Sequence, residues 1–444
     1  MVNFGKKEFF IVALMLFAMF FGAGNFIIPP MVGKNSGENF YQAILFFCVS
    51  GVVLPVLGVA AVARAGTLKD LANRVSPLFS TIFVAVIYIS IGPLLAIPRA
   101  STMPYEIMIL PYVGNDTFLY LLVYSFIYFV INYYICLKPS TILDALGKYL
   151  TPVMLVLIAV FFISACIFAN VNIAQANDAY KTNPISSAFV EGYQTMDALA
   201  ALVFGISVVG ALKAFGIKSK EKLATITIKA GFFSGAMLMV VYVLLAYLGN
   251  IYSGVFSNAS NGAEMLSNIS NDLFGDFGRI VLGIISLLAC LTTTVGLVGS
   301  SASYFSSVTK IKYKTWVILW VVISFALSNQ GLTQIIKFSI PVLVAIYPIA
   351  IVLILLSLMN KILESSKIIY SSTVYTAGLI GVMNALDNSG LIINGKNIID
   401  YLGLRFIFDN LPFYNAMLGW VVPTIAVFLI SYLIYFINKK DSNY

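Results

Sequence analysis

The chain lacks histidine altogether and carries little charge, since only 10% of its 444 residues are Asp, Glu, Lys or Arg. Without imidazole, neither a Ser-His catalytic pair nor a histidine-bound metal can be built. The four cysteines lie in separate apolar stretches and form no CxxC pair, which argues against a disulfide framework or a zinc site. Soluble domains carry about 25% charged residues. The scarcity of charge therefore excludes an ordinary soluble enzyme.

Apolar sequence takes the place of charge: 60% of the residues are hydrophobic and the mean hydropathy is +0.96. A membrane-spanning helix needs about 20 apolar residues, so the long apolar runs predict an all-α integral membrane protein with about twelve spans in one transmembrane domain, residues 1–444. The predicted spans are 8–32, 40–63, 79–98 or longer, 117–137, 150–170, 191–212, 225–249, 277–307, 315–329, 333–357, 370–388 and 415–437.

The basic residues indicate how these spans are oriented. Most Lys and Arg fall in alternate loops, among them the runs KSKEK (218–222) and KIKYK (310–314). Loops on the cytoplasmic side are enriched in Lys and Arg, so this pattern predicts a multi-pass protein of the cell (plasma) membrane with both termini cytoplasmic. The net charge of +8 is then explained by lysines concentrated in cytoplasmic loops of a protein set in the lipid bilayer, and it predicts no nucleic-acid partner.

The first span contains the helix-breaking stretch FFGAGNFIIPP, residues 20–30. Gly22, Gly24, Asn25 and a pair of prolines are poor helix material. Irregular chain at this depth is tolerated only where protein or water lines a cavity. An interrupted helix there would present amides on one side of the gap and carbonyls on the other, which suit a carboxylate and a small cation. The alternative is close helix packing through small residues.

The sixth span would be the counterpart of the first in a second, inverted five-helix unit. Its stretch around 191–212 holds Thr195 and Asp197, the only acid well inside a predicted span and away from its ends, followed by Phe204-Gly205. An ionisable residue within the membrane is a functional candidate. The break fits either Thr195–Asp197 or Phe204–Gly205. Asp197 can bind a substrate ammonium, carry a proton or serve a structural role near the outer interface.

Two further stretches carry polar groups into predicted spans. Thr292, Thr293 and Thr294 follow one another in the eighth span, where neutral hydroxyls suit a monovalent ion unless each bonds the carbonyl one turn back. If the third span ends near Pro98, Arg99 is a loop cation. If it continues to about residue 112, Arg99 and Glu106 share a helix face and could form an outer gate.

The sequence resembles a known family at four stretches: FGAGNFIIPP (21–30), GPLLAIPRA (92–100), EGYQTMDALAALVFG (191–205) and CLTTTVGL (290–297). These are similar to the bacterial branched-chain amino acid carriers, or LIV-type amino acid:cation symporters, of the amino acid–polyamine–cation superfamily. The resemblance implies two inverted five-helix repeats, about 8–170 and 185–357, with the first and sixth helices broken, and two additional helices, about 370–437. It also implies uptake of leucine, isoleucine and valine with sodium or protons, and no other cofactor.

A more distant resemblance, to sodium-coupled neurotransmitter-type symporters, rests on GAGNF and ACLTT. It implies a sodium site formed by the carbonyls of Ala18, Phe21 and Ala289 and the hydroxyls of Thr292 and Thr293. It also implies that amides around Gly22, Ala23, Gly24 and Asn25 receive the substrate carboxylate. The match is weaker in the sixth span, where the predicted substrate-binding residues are Thr195, Met196, Asp197 and Phe204, the last against the apolar side chain of the substrate. Asp197 departs from the neutral residue expected in those symporters.

Other functions remain as alternatives. A membrane-embedded enzyme would need a nucleophile with a base, or a metal site, and the residue inventory offers neither. A channel is a second alternative. A third is a cation-coupled transporter of another amino acid, a nucleobase or a small osmolyte. The sequence leaves the oligomeric state open.

Overall fold

The computed structural model describes residues 4–113, 117–137, 142–390, 392–393 and 396–441, and these are helical almost throughout. The first part of the chain forms α1 (Lys6–Phe20), α2 (Ala23–Ser36), α3 (Phe40–Cys48), α4 (Leu54–Ala65), α5 (Leu68–Asn73), α6 (Pro77–Ile89), α7 (Ala96–Met108), α8 (Thr117–Leu137) and α9 (Ile142–Phe168). One π-helical segment, Val49–Val53, joins α3 to α4, and another, Ser90–Leu94, follows α6.

The second part of the chain continues the bundle. Its helices are α10 (Asp178–Thr182), α11 (Pro184–Glu191), α12 (Asp197–Ala214), α13 (Lys220–Ile251), α14 (Gly262–Val308), α15 (Tyr313–Ser328), α16 (Leu332–Leu358), α17 (Asn360–Leu363), α18 (Lys367–Asn388), α19 (Ile398–Tyr401), α20 (Arg405–Asp409) and α21 (Val421–Asp441). Two-residue strands, β1 (Ile392–Ile393) and β2 (Lys396–Asn397), pair antiparallel between α18 and α19.

Seven helices within the described ranges are long and apolar enough to cross a membrane, and an eighth is added if the bent pair Pro184–Thr195 and Asp197–Lys213 is one span. The protein is therefore a multi-pass membrane protein. Shorter apolar helices, Pro152–Phe168 and Tyr313–Ser328, accompany them. The number twelve stays a prediction, because several predicted spans are divided into pieces shorter than a full crossing.

The interruption predicted in the first span is present. α1 ends at Phe20 and α2 begins at Ala23, with Phe21 and Gly22 in non-helical conformations between them. In the sixth span the break falls at Met196, which adopts the left-handed conformation (φ 62°) between the 3₁₀ turn Gly192–Thr195 and α12. The two pieces are bent by 42°. Of the two predicted positions, Thr195–Asp197 is right and Phe204–Gly205 is wrong, because α12 runs on through both residues.

The third span continues well past Pro98. α6 and α7 form one 32-residue crossing, Pro77–Met108, that is kinked where Gly92 leaves the helical region (φ −92°, ψ −123°). Pro93 lacks an amide hydrogen and stands in the same kink, which explains why the helix breaks there. Arg99 therefore lies within a membrane-spanning helix, and the loop alternative is wrong.

Glycines fix α2 at the centre of the bundle by letting backbones touch. A β-carbon on Gly33 would lie 1.8 Å from the carbonyl oxygen of Ala246 in α13, and one on Gly249 would lie 1.9 Å from that of Pro30. A β-carbon on Gly262, at the start of α14, would meet the Ile27 carbonyl oxygen at 1.8 Å. Small residues at such crossings give membrane helices close van der Waals contact. These contacts hold α2, which begins directly after the break, firmly against α13 and α14.

The periphery of the bundle is apolar and exposed. α21 packs on α18 and turns side chains such as Ile425, Leu429 and Ile437 outward. α8 and α9 likewise expose large apolar residues, including Phe126 and Ile163. A helix bundle in water would bury these side chains, so this surface is the one that lipid covers.

Candidate substrate chamber between the broken helices

The two interrupted helices meet at a small chamber with about 40 Å³ of free volume. Residues singled out from the sequence that line it are Gly22, Ala23, Gly24, Asn25, Arg99, Thr195, Met196, Asp197, Phe204 and Thr293. Ala18, Phe21, Glu106, Ala289 and Thr292, also singled out, are not among the described residues that line the chamber.

The beginning of α2 presents free backbone donors to the chamber. In an unbroken helix the Gly22 amide would bond the Ala18 carbonyl, but here it donates to Asn25 Oδ1 at 2.9 Å. The Asn25 amide donates to the Gly22 carbonyl at 3.1 Å. The amides of Ala23 and Gly24 have no intrahelical acceptor, since they belong to the first turn. These amides, at the positive end of the helix dipole, suit an anion.

Asp197 is held by a buried hydrogen-bond network that joins three helices. Asn25 Nδ2 donates to Asp197 Oδ2 at 2.8 Å, and the Tyr242 hydroxyl of α13 donates to the same oxygen. Asn25 Nδ2 also contacts the Tyr242 hydroxyl. All three side chains are buried, with Asp197 only 1% exposed. Asn25 therefore caps α2 and orients the carboxylate of Asp197, while Asp197 lines the chamber.

The break in the sixth span brings backbone carbonyls to the same place. The Thr195 hydroxyl donates to the Gly192 carbonyl at 2.9 Å and accepts from the Asp197 amide at 3.4 Å, which ties the turn together. The carbonyl oxygens of Gln194 and Thr195 face α2, because a β-carbon on Gly24 would lie 3.2 and 3.1 Å from them. Helix-end carbonyls next to a carboxylate make this side of the chamber suitable for a cation.

Arg99 enters the chamber from α7 and is 2% exposed. Its Nε and Nη1 have no hydrogen-bond partner among the described residues, and Nη2 would lie 2.6 Å from a β-carbon on Gly24. Glu106 does not pair with it. The Glu106 carboxylate instead accepts from Asn261 Nδ2 at 2.6 Å and from the Leu332 amide at 3.2 Å. The structure therefore does not join the two residues of the predicted gate, which stays a prediction.

The three consecutive threonines of α14 have different neighbours. The hydroxyls of Thr292 and Thr293 both donate to the Ala289 carbonyl, at 2.7 and 3.1 Å, so they bond one turn back, as the alternative to an ion site predicts. Their lone pairs can still accept, and the sodium site stays a prediction. A β-carbon on Gly22 would lie 3.7 Å from Thr293 Oγ1, so the break in the first span abuts this helix. Thr294 faces α8, where Asn132 Nδ2 donates to its hydroxyl at 2.6 Å.

The remaining wall of the chamber is apolar. Phe204 of α12 lies edge-on to Phe20, with ring centroids 6.2 Å apart. The other apolar lining residues are Met19, Ile91, Ala96, Ala100, Ala200 and Leu297. A ligand whose chemistry matches this lining would combine a small charged end with an apolar body.

A second, larger cavity of about 450 Å³ lies beyond the chamber, and we call it the vestibule. Its lining includes Ile28 of α2, Glu191 of α11 and Ile340 of α16. Gln194 lines the vestibule and its neighbour Thr195 lines the chamber, so the 3₁₀ turn of the sixth span stands between the two.

Comparison with known proteins identifies the family. Residues 5–438 match the model of the family described as "Branched-chain amino acid transport protein". The chain belongs to this family. It is 41% identical to the branched-chain amino acid permease BraB of Bacillus subtilis (strain 168), over 96% of this chain and 95% of the permease. It is 37% identical to the branched-chain amino acid permease BrnQ of the same organism, over 97% and 98% of the two chains. The protein is thus a transporter and not an enzyme.

Solved structures show which fold this family member has. The inward-facing conformation of Mhp1 superposes with a TM-score of 0.59 at 14% identity, covering 98% of this chain and 91% of Mhp1. Mhp1 is described as a nucleobase-cation-symport-1 family transporter. MhsT in complex with L-phenylalanine superposes with a TM-score of 0.53 at 14% identity, covering 97% and 98%. At such low identity these likenesses establish the fold alone.

Sequence reasoning missed one polar partner in this transporter, Tyr242. Its hydroxyl lies at the Asn25–Asp197 pair, yet it comes from a long apolar stretch of α13. A single tyrosine among 25 carries no distinguishing pattern. Only its distance from the buried carboxylate reveals its role.

Proposed function

We propose that this protein takes up leucine, isoleucine and valine across the plasma membrane by symport with sodium or protons, through an alternating-access mechanism. The observation that supports this best is the chamber itself. It combines free backbone amides at Ala23 and Gly24, the carboxylate of Asp197 and an apolar wall around Phe204. A branched-chain amino acid offers the matching carboxylate, ammonium and aliphatic side chain. The names of the related permeases agree with this choice.

The proposed architecture has twelve spans with both termini cytoplasmic. The first repeat covers about 8–170, the second, inverted repeat about 185–357, and two further helices about 370–437. In this scheme the interruptions at Gly22 and Met196 occupy equivalent places in the two repeats. Rocking of one repeat against the other would expose the chamber to each side in turn.

The proposed coupling ion is sodium, bound where the first span breaks beside α14. Its ligands would be the carbonyls of Ala18, Phe21 and Ala289 and the hydroxyls of Thr292 and Thr293. The Ala18 carbonyl has lost its usual amide donor to Asn25, which frees it for an ion. An ion there would rigidify the break and raise amino acid affinity. Coupling of this kind is typically about 1–3 kcal/mol.

Selection among the three substrates would be modest. The apolar wall discriminates among substrates by the apolar surface that each one buries. One methylene changes the binding free energy in such a pocket by about 1–3 kcal/mol. Leucine, isoleucine and valine differ by no more than one methylene or a branch point. We therefore expect them to compete with one another, whereas a nucleobase such as uracil or an osmolyte such as betaine should not compete.

The direct test is leucine uptake into proteoliposomes that hold the purified protein. The arms are an inward sodium gradient, an inward proton gradient, both together, and equal ion concentrations on the two sides. Protein-free liposomes serve as the control. Concentrative uptake with either gradient supports symport, and uptake that ignores both gradients contradicts it. Absence of leucine uptake, with uptake of another cargo, would replace the proposed substrate.

The ion site has its own test in Thr293→Ala, compared with Thr293→Ser, which keeps the hydroxyl. We expect the sodium concentration for half-maximal uptake to rise about tenfold in the alanine variant, as for loss of one oxygen ligand of about 1.4 kcal/mol, and to recover in the serine variant. Equal sodium dependence of all three proteins would remove the assignment to α14.

A further inference from the structure

Arg99 is the one arginine among the described residues that line the chamber, and its guanidinium is buried without a full set of partners. Nε and Nη1 donate to no acceptor among the described residues. No ion pair that the structure describes includes Arg99. A buried arginine has five donor hydrogens to satisfy, and leaving them unpaired is strongly unfavourable. The unpaired donors of Arg99 therefore indicate a ligand that accepts their hydrogen bonds.

The position of the guanidinium indicates which ligand that is. Nη2 would lie 2.6 Å from a β-carbon on Gly24, so the guanidinium touches the first turn of α2. Its donors therefore lie beside the free amides of Ala23 and Gly24, and the carbonyls of Thr195 and Gln194 lie within 3.2 Å of the same β-carbon position. Planar carboxylates fit the arginine fork bidentately.

We propose that Arg99 binds the substrate carboxylate together with the amides that open α2, and that Asp197 faces the ammonium. This proposal rests on the proposed function, because it assigns the carboxylate of an amino acid substrate to Arg99 and the ammonium to Asp197. Arg99 and Asp197 make the chamber neutral as a pair, and a zwitterion keeps it neutral. The substrate class is then α-amino acids with an unmodified carboxylate, and esters, amides and simple amines are excluded.

A purely structural role for Arg99 makes a different prediction. The guanidinium also lies near the carbonyls of Gln194 and Thr195 and could merely cap that turn. In that case any cation at this position would do, and leucine binding would survive a change to lysine. Recognition of a carboxylate by two parallel hydrogen bonds would not survive it, because lysine is a point charge.

The experiment measures binding of radiolabelled leucine to the purified protein and to Arg99→Gln, Arg99→Lys and the matched control Arg279→Gln. Arg279 lies outside the chamber and pairs with Asp276 at 3.3 Å. We expect Arg99→Gln to weaken binding roughly 10- to 150-fold, as for loss of a charge-assisted hydrogen bond. Arg99→Lys should weaken it at least about tenfold, and Arg279→Gln should bind like the wild type.

A second arm uses the unaltered protein and does not depend on how the variants fold. Unlabelled leucine, leucinamide, leucine methyl ester and 3-methylbutylamine compete for the labelled site. We expect only leucine to displace the label. Equal displacement by leucinamide, or binding within twofold of wild type in Arg99→Gln or Arg99→Lys, overturns the role of Arg99 while leaving the transport function standing. Failure of the wild type to bind any branched-chain amino acid overturns both.

Discussion

Replacing Gly24 by alanine is the smallest change that should disable the chamber. The added β-carbon would come within 2.6 Å of Arg99 Nη2, and within 3.1 and 3.2 Å of the carbonyl oxygens of Thr195 and Gln194. The arginine can move because its side chain is flexible, whereas the two carbonyls belong to a turn held from both sides. Gly24→Ala should therefore push the guanidinium out of the carboxylate position.

The magnitudes separate an effect on folding from an effect on binding. Alanine in place of glycine favours a helix by about 1 kcal/mol, and Gly24 lies in α2. Overpacking costs about 1–3 kcal/mol, so the free energy of unfolding should fall by no more than about 2 kcal/mol. Displacing one charge-assisted hydrogen bond should reduce leucine affinity by about 1.5–3 kcal/mol, or roughly 10- to 150-fold.

The assay compares leucine affinity and melting temperature in detergent for the wild type, Gly24→Ala and Gly296→Ala. Gly296 is the matched control, because it also lies in a helix but a β-carbon there meets nothing within 4 Å. We expect Gly296→Ala to bind like the wild type and Gly24→Ala to lose affinity while it stays folded. Leucine affinity within twofold of wild type in Gly24→Ala would refute the placement of the carboxylate beside α2.

Three further predictions follow from neighbouring contacts. Asn25→Ala removes the cap of α2 and a donor to Asp197, so the free energy of unfolding should fall by about 3 kcal/mol, and an unchanged melting temperature would contradict this. Gly249→Ala drives a β-carbon to 1.9 Å from the Pro30 carbonyl oxygen and should cost about 3 kcal/mol or more; size-exclusion profiles that match the wild type would disprove it. Phe204→Ala removes part of the apolar wall, so leucine affinity should fall by about 1–3 kcal/mol while phenylalanine gains relative to leucine; a constant leucine-to-phenylalanine competition ratio would argue against it.

The interruptions were readable from sequence because their causes are local. Glycine, proline and a mid-span asparagine disfavour a helix wherever they occur, so the break near Gly22 could be placed within a residue or two. Met196 was harder to place, since nothing in its side chain requires a left-handed conformation. The turn around it is imposed by the packing of α11 and α12 against their neighbours.

The partners of the polar side chains could not be predicted from sequence, because they depend on how distant helices are rotated. Arg99 and Glu106 share a helix face in a straight helix. In the structure, however, Arg99 lines the chamber and Glu106 accepts a hydrogen bond from Asn261. The kink at Gly92 and the packing of α7 on α14 set these directions. Asn25 likewise donates a hydrogen bond to Asp197, which is 172 residues away in sequence.

The central claim is that the substrate lies in the chamber between the two breaks. The most direct measurement is an experimentally determined structure of the protein with leucine and sodium. It should show density for leucine with its carboxylate at Arg99 and the first turn of α2, its ammonium toward Asp197 and its side chain against Phe204. Leucine density confined to the vestibule, with Arg99 bonded to protein groups alone, would contradict the claim.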